Sequence, residues 1–376
     1  MQVKRRVGIN LISFHNSKSV GDFVFMKRIF KELWKSNLDE FHFVIYIQKN
    51  LVNALDFPEN ISIEIVKIPV LKNAIFRILF EQSLFYFYLR KTDVLFSPSL
   101  SMPLFAKPYK ILTIHDMVPF VLQNKYNYFR QQYIKKMLLI SIYCSDRIVT
   151  VSDNSKNDIM KYAKTKENKI SVINNFIPSD EVVIQKPLIA DNHILIDSVR
   201  RELKTPYFLS VSTLQPAKNI DGLMMAFDEF ANKRPEYSLY IVGHKGWGYN
   251  FLFKIWEKLK NRDKVIFTGY IDDKQLSVMY DKCVGVVYLS FYEGFGIPPL
   301  EGFYHNKSCI ASDISSLPEV VGEAGIMVDP YDSNAIVNAL SDFADNPSKY
   351  ESEIAGRIQK FSPRIQIEKF IQILLS

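Results

Sequence analysis

Several features that decide the class of a protein are scarce or missing in this chain. Cysteine occurs three times in 376 residues, an odd number at wide spacing, which argues against a disulfide framework and is typical of a reducing compartment. Cys144, Cys283 and Cys309 also give no metal-binding spacing. No apolar run reaches the roughly 20 residues that a helix needs to cross a bilayer. The first residues lead into a short apolar strand rather than a secretory segment, so we expect a cytoplasmic protein.

The chain also has no internal repeat, no low-complexity segment and no recognisable nucleic-acid-binding motif. It contains neither an Asp-x-Asp sequence nor a cluster of His and Cys, the patterns that commonly hold divalent cations. We therefore predict that it binds no metal. What is present is typical of a globular protein: 48% hydrophobic and 23% charged residues, in a chain long enough for two domains.

The net charge of +7 is unevenly distributed along the chain. Residues 1–178 contain 26 Lys and Arg against 14 Asp and Glu, a balance of +12, and the remainder has 21 against 26, a balance of −5. A basic first half indicates an anionic partner, either a membrane surface or a phosphate-bearing acceptor. Nucleic acid is the weaker interpretation because no binding motif accompanies the charge. A basic surface that contacts only solvent stays an alternative.

Short apolar runs alternate with helical periodicities in both halves, which predicts α/β domains with parallel sheets. The clearest run, Val286–Leu289, is typical of a buried strand. It leads into a turn with Gly294 and Gly296 and then into a helix start marked by Pro298-Pro299. Backbone N–H groups at such a helix start bind phosphate, and glycines let a ligand approach the backbone closely.

Two carboxylates, Glu293 and Glu301, bracket this turn with seven residues between them. Alone, Glu293 is most simply a solvated loop acid and Glu301 a first-turn helix acid. Their surroundings are YEGFGIPPLE and, further on, CIASDISSLPEVVGEAGIMVDPYD. These segments resemble the E-x7-E region of retaining glycosyltransferases of the GT-B architecture, in the large family 4 group. The resemblance covers most of the chain and is strongest after Tyr207.

The resemblance implies an α/β protein with two Rossmann-like parallel-sheet domains that face a central cleft. We expect the first domain in residues 1–185 on the acceptor side, and the second in residues 186–361 as the nucleotide-sugar-binding domain. A C-terminal helix in residues 362–376 would return to the first domain. Residues 176–205 lack a clean periodicity, and we interpret them as the interdomain connection with a leading helix.

The same resemblance implies a donor site. Its expected members are Gly21, Thr213, Lys218, Tyr270, Glu293, Gly294, Phe295, Gly296 and Glu301. Glu293 would hold the donor sugar and Glu301 the ribose hydroxyls. Lys218, in the segment STLQPAKNI, and the backbone at residues 294–296 would meet the charge of the diphosphate. Tyr270 follows the strand at which the family contacts the nucleotide base.

Two residues depart from the family pattern. Ala217 stands where the phosphate-gripping loop commonly has arginine, and Val20 stands where a second glycine usually precedes Gly21. In the first domain, the segment ILTIHDMVPF is similar to the family strand that ends in His-Asp. The resemblance implies that His115 faces the donor sugar, so that Glu293 and His115 are the expected catalytic residues.

Two segments of the first half combine helical periodicity with aromatic residues. In residues 71–91 the stripe is interpreted as a core face rather than an interface; it contains Leu71, Ile75, Leu79, Leu84, Phe85 and Tyr88. Residues 124–143 predict an amphipathic helix with one apolar face made of Phe129, Tyr133, Met137 and Ile140. Arg130, Lys135 and Lys136 lie nearby, so this helix either rests on an anionic membrane or is an ordinary domain helix with a solvated face.

The function implied is transfer of a hexose from a nucleotide-diphosphate sugar to an acceptor hydroxyl, with no cofactor. Surface polysaccharide, such as O antigen, or lipid-linked oligosaccharide is the family's commonest product. The expected partners are a nucleotide sugar, a carbohydrate or lipid-linked saccharide acceptor, and an anionic membrane at its inner face. Two alternatives stay open: a sugar-nucleotide epimerase of similar architecture, and a non-catalytic partner of another glycosyltransferase, which the departures at Ala217 and Val20 keep in play.

Overall fold

The computed structural model describes residues 4–14, 21–71, 73–100, 102–122, 127–178, 180–181, 193–196 and 199–376. The chain divides into two compact units. Unit 1 contains Met1–Pro178 and Pro363–Ser376, and unit 2 contains Ser179–Ser362. The domain boundary expected at residues 185 and 186 lies outside the described residues.

Unit 1 contains a parallel sheet of seven strands in the order β3-β2-β1-β4-β5-β6-β7. The strands are β1 Arg5–Asn10, β2 Phe41–Gln48, β3 Ile63–Ile68, β4 Val94–Ser97, β5 Tyr109–Ile114, β6 Arg147–Thr150 and β7 Ile170–Val172. The sequence FHFVIYIQ of β2 shows why a parallel sheet forms, since its aromatic and β-branched residues are buried on both faces. The strand order reverses between β1 and β4, and ligands of such sheets bind at the carboxyl ends of the strands there.

The helices of unit 1 connect successive strands. They are α1 Gly21–Leu33, α2 Ala74–Gln82, α3 Phe85–Tyr88, α4 Val118–Val121, α5 Tyr128–Cys144 and α6 Asp153–Ala163. Ser152 caps α6, because its side chain accepts the backbone N–H of Ser155 at 3.0 Å. Asn127 caps α5 in the same way by accepting the N–H of Arg130 at 2.9 Å.

The interpretation of residues 71–91 as one core-facing helix is wrong. The segment forms two helices, α2 and α3, and most of its apolar stripe faces solvent, with Ile75 67% and Leu79 58% exposed. The sheet beneath is already covered by Phe85 and Leu89, which pack with Leu95 of β4 and other strand residues. Periodicity identified the apolar side of the segment correctly, but none of the described residues of unit 1 forms a further layer over that side.

The helix predicted in residues 124–143 is present as α5 from Tyr128, but its predicted amphipathic character is wrong, because apolar residues lie on both its buried and its exposed side. Residues 123–126 lie outside the described part of the chain. It packs on the sheet through Leu138 and Ile142. Its aromatic side therefore points outward, and Phe129 is 85% exposed. Tyr133 and Ile140, one and three turns further on, are also exposed.

The first described residues of unit 2, 180–181, are helical, and an antiparallel ribbon of two strands follows, β8 His193–Ile196 and β9 Val199–Glu202. The leading helix expected in residues 176–205 is present at residues 180–181, but residues 193–196 and 199–202 form strands instead; residues 182–192 lie outside the described part of the chain. A parallel sheet of six strands follows, in the order β12-β11-β10-β13-β14-β15. These strands are β10 Tyr207–Val211, β11 Ser238–Val242, β12 Val265–Gly269, β13 Gly285–Tyr288, β14 Cys309–Ser312 and β15 Gly325–Val328.

Helices cover this second sheet. They are α7 Ile220–Lys233, α8 Asn250–Trp256, α9 Asp273–Lys282, α10 Ile297–Tyr304, α11 Leu317–Val321, α12 Ser333–Asp345 and α13 Glu351–Lys360. The core between sheet and helices contains Phe208 of β10, Phe227 of α7 and Phe343 of α12. Asp272 caps α9 by accepting the N–H of Gln275 at 2.8 Å, which confirms the interpretation of this acid as a capping residue.

The last helix, α14 Pro363–Leu375, belongs to unit 1. Its Gln366 side chain accepts the backbone N–H of Asn174 at 2.9 Å, and Phe370 meets Phe96 of β4 edge-on with ring centroids 4.9 Å apart. Across the described ranges, no helix combines the length and the apolarity that a membrane crossing requires.

The strand pairings of both units confirm the two predicted parallel α/β sheets.

Candidate active site

The topology of unit 2 brings two sequence-distant loops together. Strands β10 and β13 are neighbours at the point where the strand order reverses, with Leu209 beside Val286. The loop after β10 carries Lys218, and the turn after β13 carries Glu293. The two loops are joined by a backbone hydrogen bond of 2.9 Å from the Phe291 N–H to the Ala217 carbonyl. This is the edge at which α/β sheets bind their ligands.

Lys218, Glu293 and Tyr288 form a closed hydrogen-bonded group at this edge. The Lys218 ammonium donates to the Glu293 carboxylate and also to the Tyr288 hydroxyl, at 3.3 Å. The Tyr288 hydroxyl donates to the same Glu293 oxygen at 2.7 Å. Only 14% of the Lys218 side chain and 13% of the Glu293 side chain are exposed, and Tyr288 is buried. Neither charge is satisfied by water alone, so each depends on its partners.

Near neutral pH, the Lys218 ammonium and the Tyr288 hydroxyl of this group both keep their protons. Burial by itself would lower the pKa of the Lys218 ammonium, but the charge of Glu293 and hydrogen bonds to Glu293 and Tyr288 outweigh burial and raise it above its ordinary value. Burial and the neighbouring carboxylate raise the pKa of the Tyr288 hydroxyl well above its ordinary value. Lys218 is therefore a cation, and Tyr288 a neutral donor, across the physiological range.

The backbone of the E-x7-E turn is clamped by serines from the loop after β14. The Ser315 hydroxyl lies 2.9 Å from the Glu293 N–H and 2.8 Å from the Glu293 carbonyl. Ser316 donates to the Phe295 carbonyl at 2.7 Å. Gly296 has φ 108°, a backbone conformation that favours glycine, and a Cβ there would also lie 2.6 Å from a terminal methyl of Leu317.

The start of α10 offers fewer donors than an average helix. The first four N–H groups of a helix lack partners inside it, and here they belong to residues 296–299. Pro298 and Pro299 have no N–H, which leaves those of Gly296 and Ile297. We therefore expect an anion at this helix start to have two backbone donors and to depend correspondingly more on the cationic Lys218.

Glu301 lies one turn into α10 and is held by a different tyrosine. The hydroxyl of Tyr280, on α9, donates to a Glu301 carboxylate oxygen at 3.0 Å. The Tyr280 ring stacks on the His305 ring, with centroids 5.2 Å apart and planes 14° from parallel. His305 is in turn bonded through Nδ1 to the Asp281 carboxylate at 2.6 Å.

The other expected donor-site residues of unit 2 are less uniform. Tyr270 is 62% exposed after β12 and stacks on His244, with ring centroids 4.4 Å apart, which makes a flat aromatic surface. Thr213 is exposed just after β10. The Phe295 side chain is buried edge-on against Phe361, so only its backbone remains available to a donor.

Ala217, the residue that replaces the family arginine, is almost fully buried between these loops. Its carbonyl is the acceptor that joins the β10 loop to the E-x7-E turn. A long cation at this position would have to leave the buried space that the methyl group occupies. Lys218 is consequently the charged residue of this loop that faces Glu293.

In unit 1, His115 follows β5 at the carboxyl edge of the sheet. Its Nε2 lies 3.2 Å from the Pro98 carbonyl and 3.6 Å from a carboxylate oxygen of Asp22, and its ring meets Phe25 edge-on at 4.9 Å. Gly21 and Asp22 form the start of α1, so the structure brings the expected Gly21 segment and His115 together. Val20 lies outside the described residues.

Sequence reasoning missed three polar contacts of the expected residues: those made by Tyr288, Tyr280 and Asp22. Tyr288 is part of the apolar run that predicts strand β13, and Tyr280 ends the apolar face of α9, so both are typical core residues by pattern. The available signal is chemical, because a buried tyrosine hydroxyl needs a hydrogen-bond partner. Nothing local in the sequence says that the partners are the two glutamates.

No group of three His, Cys, Asp or Glu side chains suited to a metal ion occurs in the part of the chain that the structure describes. That finding does not test catalysis. Independence from metal ions and from cofactors stays a prediction.

Two family models match consecutive parts of the chain. Residues 44–181 match Glycosyltransferase Family 4, and residues 192–360 match Glycosyl transferases group 1. The O-antigen chain mannosyltransferase B of Escherichia coli is 31% identical over 239 residues, which are 62% of each chain. The serotype-specific mannosyltransferase WbdA of Escherichia coli is 28% identical over 247 residues, 63% of this chain and 29% of WbdA. The matches thus span less than two thirds of the length of these relatives.

A solved structure has the same fold over nearly the whole chain. Sucrose-phosphate synthase from Thermosynechococcus elongatus superposes with a TM-score of 0.72 at 17% identity, covering 99% of this chain and 98% of that one. Likeness at that identity shows the architecture alone, and the architecture is GT-B. With one family model on each half and the E-x7-E turn at the strand-order reversal of unit 2, this chain belongs to the group 1, family 4 glycosyl transferases.

Proposed function

We propose that the protein is a retaining glycosyltransferase that moves a hexose from a nucleotide-diphosphate sugar to an acceptor hydroxyl. The observation that carries this proposal is the buried Lys218–Glu293 pair at the strand-order reversal of unit 2. It sets a fixed cation beside a fixed carboxylate at an edge where phosphates and sugars bind. The names of the two curated relatives make mannose the first hexose to test.

In this proposal the leaving diphosphate is stabilised by the Lys218 ammonium and by the N–H groups at Gly296 and Ile297. Glu293 orients the donor sugar and forms no covalent bond. A carboxylate that already accepts hydrogen bonds from Lys218 and Tyr288 is a weak nucleophile, which argues against a two-carboxylate glycosidase scheme. The acceptor hydroxyl attacks from the face that the diphosphate leaves, and a donor phosphate oxygen takes its proton.

The test is release of free nucleoside diphosphate from a panel of UDP-, GDP- and dTDP-sugars that includes mannose donors. Release that requires a saccharide acceptor supports the transferase, and product with the donor's anomeric configuration supports retention. Conversion of the donor without an acceptor would instead indicate an epimerase. Neither binding nor turnover with any donor would favour a non-catalytic partner of another glycosyltransferase.

We propose further that the acceptor is a carbohydrate or a lipid-linked saccharide of surface polysaccharide synthesis, and that unit 1 rests on an anionic membrane at its inner face. Two exposed apolar surfaces support the membrane part. The first is on α2 and α3 and consists of Ile75, Phe76, Leu79, Leu84, Phe87 and Tyr88. The second is on α5 and consists of Phe129, Tyr133, Ile140 and Tyr143. Exposed apolar groups of this size mark interaction sites more often than free surface.

Both surfaces lie on the same side of unit 1. Strand register puts Leu95 of β4 and Leu112 of β5 on one face of the sheet, because Ser97 pairs with Leu112. Leu95 packs in the cluster beneath α3, and Leu112 packs in the cluster beneath α5. The right-handed connections β3 to β4 and β5 to β6 run in the same direction along the sheet, which leads to the same arrangement.

The charges around these surfaces complement an anionic lipid layer. In residues 74–91 and 128–144 the only acidic residue is Glu81, which is buried and hydrogen-bonded to Asn10 at 2.6 Å. Arg90, Lys91, Arg130 and Lys136 are exposed on the same helices or at their ends. Apolar side chains that enter the headgroup layer and cations that attract it together provide a peripheral attachment.

A further inference from the structure

We infer that Tyr288 and Tyr280 are positioning residues, each of which holds one glutamate of the E-x7-E pair through its hydroxyl. The inference rests on the proposed function and extends it to two side chains that the family motif does not include. Tyr288 would control the sugar-facing Glu293 and therefore the chemical step. Tyr280 would control the ribose-facing Glu301 and therefore donor binding.

The Tyr288 hydroxyl has one proton to donate, and its geometry directs that proton to one acceptor. Its one proton is given to Glu293 at 2.7 Å, and its oxygen accepts from Lys218 at 3.3 Å. The phenol therefore bridges the cation and the carboxylate. When the Lys218 ammonium turns toward a bound diphosphate, the hydrogen bond from the Tyr288 hydroxyl keeps the Glu293 carboxylate in its orientation. Without it, the carboxylate would be free to follow the lysine.

Tyr280 has different neighbours. Its hydroxyl is 3.0 Å from a Glu301 carboxylate oxygen and 3.4 Å from the Pro298 carbonyl, so the shorter hydrogen bond is to Glu301. Its ring is held by the stack on His305. His305 is fixed in turn by Asp281 at 2.6 Å. A rigid ring aims a hydroxyl better than a mobile one does, so the Asp281–His305 pair supports the Tyr280 hydroxyl in its bond to Glu301.

Both tyrosines stay protonated donors at any pH the protein meets. Burial and the carboxylate beside each of them raise the pKa of each hydroxyl above its ordinary value. Replacement of either by phenylalanine removes the hydroxyl and keeps the ring. Each replacement therefore removes one hydrogen bond to a carboxylate and little packing. Tyr288→Phe also removes an acceptor for Lys218, and Tyr280→Phe also removes the longer contact with the Pro298 carbonyl.

The experiment compares Tyr288→Phe and Tyr280→Phe with Tyr240→Phe in the full-length chain. Tyr240 is a matched control because it is equally buried in unit 2, and its hydroxyl accepts the Lys204 N–H at 2.9 Å. For each protein the measurements are kcat, the donor KM, the dissociation constant of UDP, GDP or dTDP by calorimetry, and the melting temperature. The calorimetric constant does not depend on turnover.

Tyr288→Phe is expected to lower kcat about tenfold and to leave nucleoside diphosphate affinity within about threefold of the wild type. Tyr280→Phe is expected to raise donor KM and the dissociation constant about tenfold, with kcat within about threefold. Tyr240→Phe should change neither, whatever it does to the melting temperature. A purely structural role would move all three variants together.

The outcomes separate this inference from the function on which it rests. If the wild type binds no nucleoside diphosphate and uses no donor, the proposed function is overturned, and the inference with it. If the wild type is active and the two tyrosine variants match Tyr240→Phe, only the inference is overturned. The inference alone is also overturned if kcat and donor KM change together in both variants. It is likewise overturned if Tyr288→Phe mainly raises the donor KM and Tyr280→Phe mainly lowers kcat.

Discussion

Unit 1 and unit 2 have the same strand order around their central reversal but place charged and apolar groups in opposite ways. Unit 2 buries charge at its ligand edge, where Lys218 and Glu293 neutralise each other. Unit 1 leaves apolar groups outside, on α2, α3 and α5, among basic residues. A buried ion pair and an uncovered apolar surface are both costly unless something else uses them. We therefore expect the small-molecule chemistry in unit 2 and the large-surface contact on unit 1.

The largest expected effect is on the buried pair. Lys218→Met should reduce kcat/KM by about 100-fold, because the leaving diphosphate loses its cation and Glu293 loses its partner. The free energy of unfolding should also fall, by about 3 kcal/mol, since an uncompensated carboxylate remains in a nearly water-free site. Steady-state kinetics and urea denaturation measure the two losses.

The matched control for this variant is the double variant Lys218→Met/Glu293→Gln. Removal of both charges should restore part of the lost stability and none of the lost activity. A single variant as stable as the wild type would mean that the pair is solvated in solution. Unit 2 would then no longer differ from unit 1 by burying charge at its ligand edge.

The next effect distinguishes the two glutamates. Glu293→Gln should lower kcat by roughly tenfold or more, because contact with the sugar places the reacting carbon and small displacements there are costly. Glu301→Gln should mainly raise the donor KM, because a bond to ribose acts almost equally in the ground and transition states. Kinetics of both variants decide, with circular dichroism to confirm folding. The reverse pattern would exchange the two roles, and two unaffected variants would place the site elsewhere.

A smaller effect is expected for unit 1. The protein should sediment with anionic vesicles at low salt, and less so as salt rises and screens the attraction. Ile75→Ser/Phe76→Ser and, separately, Phe129→Ser/Ile140→Ser should each weaken the apparent affinity about tenfold, since apolar side chains no longer enter the headgroup layer. Folding should be preserved because the replaced side chains are exposed.

The control for the membrane experiment is Tyr331→Ser in unit 2, which also removes a highly exposed aromatic side chain. It should leave vesicle binding unchanged while both unit 1 variants weaken it. Equal sedimentation with neutral and anionic vesicles at low salt would refute the membrane proposal. Loss of binding in the unit 2 variant would show that exposed aromatics in general, and not those of unit 1, cause the adhesion.

Sequence patterns predict the features that depend on contiguous residues and miss those that depend on tertiary contacts. Alternating apolar runs predict both parallel sheets, and the E-x7-E turn is recognisable because its residues are contiguous. Periodicity alone could not show that α2 faces solvent, since it reveals which side of a helix is apolar and not whether another layer covers it. The ribbon β8–β9 is missed because its residues show no clean pattern. Tyr288 and Tyr280 are missed because hydroxyl partnerships are set by tertiary structure.

The last prediction is that removal of metal ions has no effect on turnover. The chain has no Asp-x-Asp sequence, and we predict that protein groups alone meet the charge that develops on the leaving diphosphate. Lys218 is already a cation held in place, and Gly296 and Ile297 provide the backbone donors at the start of α10. We therefore expect turnover to be the same in EDTA and in Mg²⁺ or Mn²⁺. The control is Lys218→Met, which should stay inactive with added metal if the ammonium and a cation are not interchangeable. Loss of wild-type turnover in EDTA, restored by Mg²⁺ or Mn²⁺, would show that unit 2 does not compensate the diphosphate charge by itself.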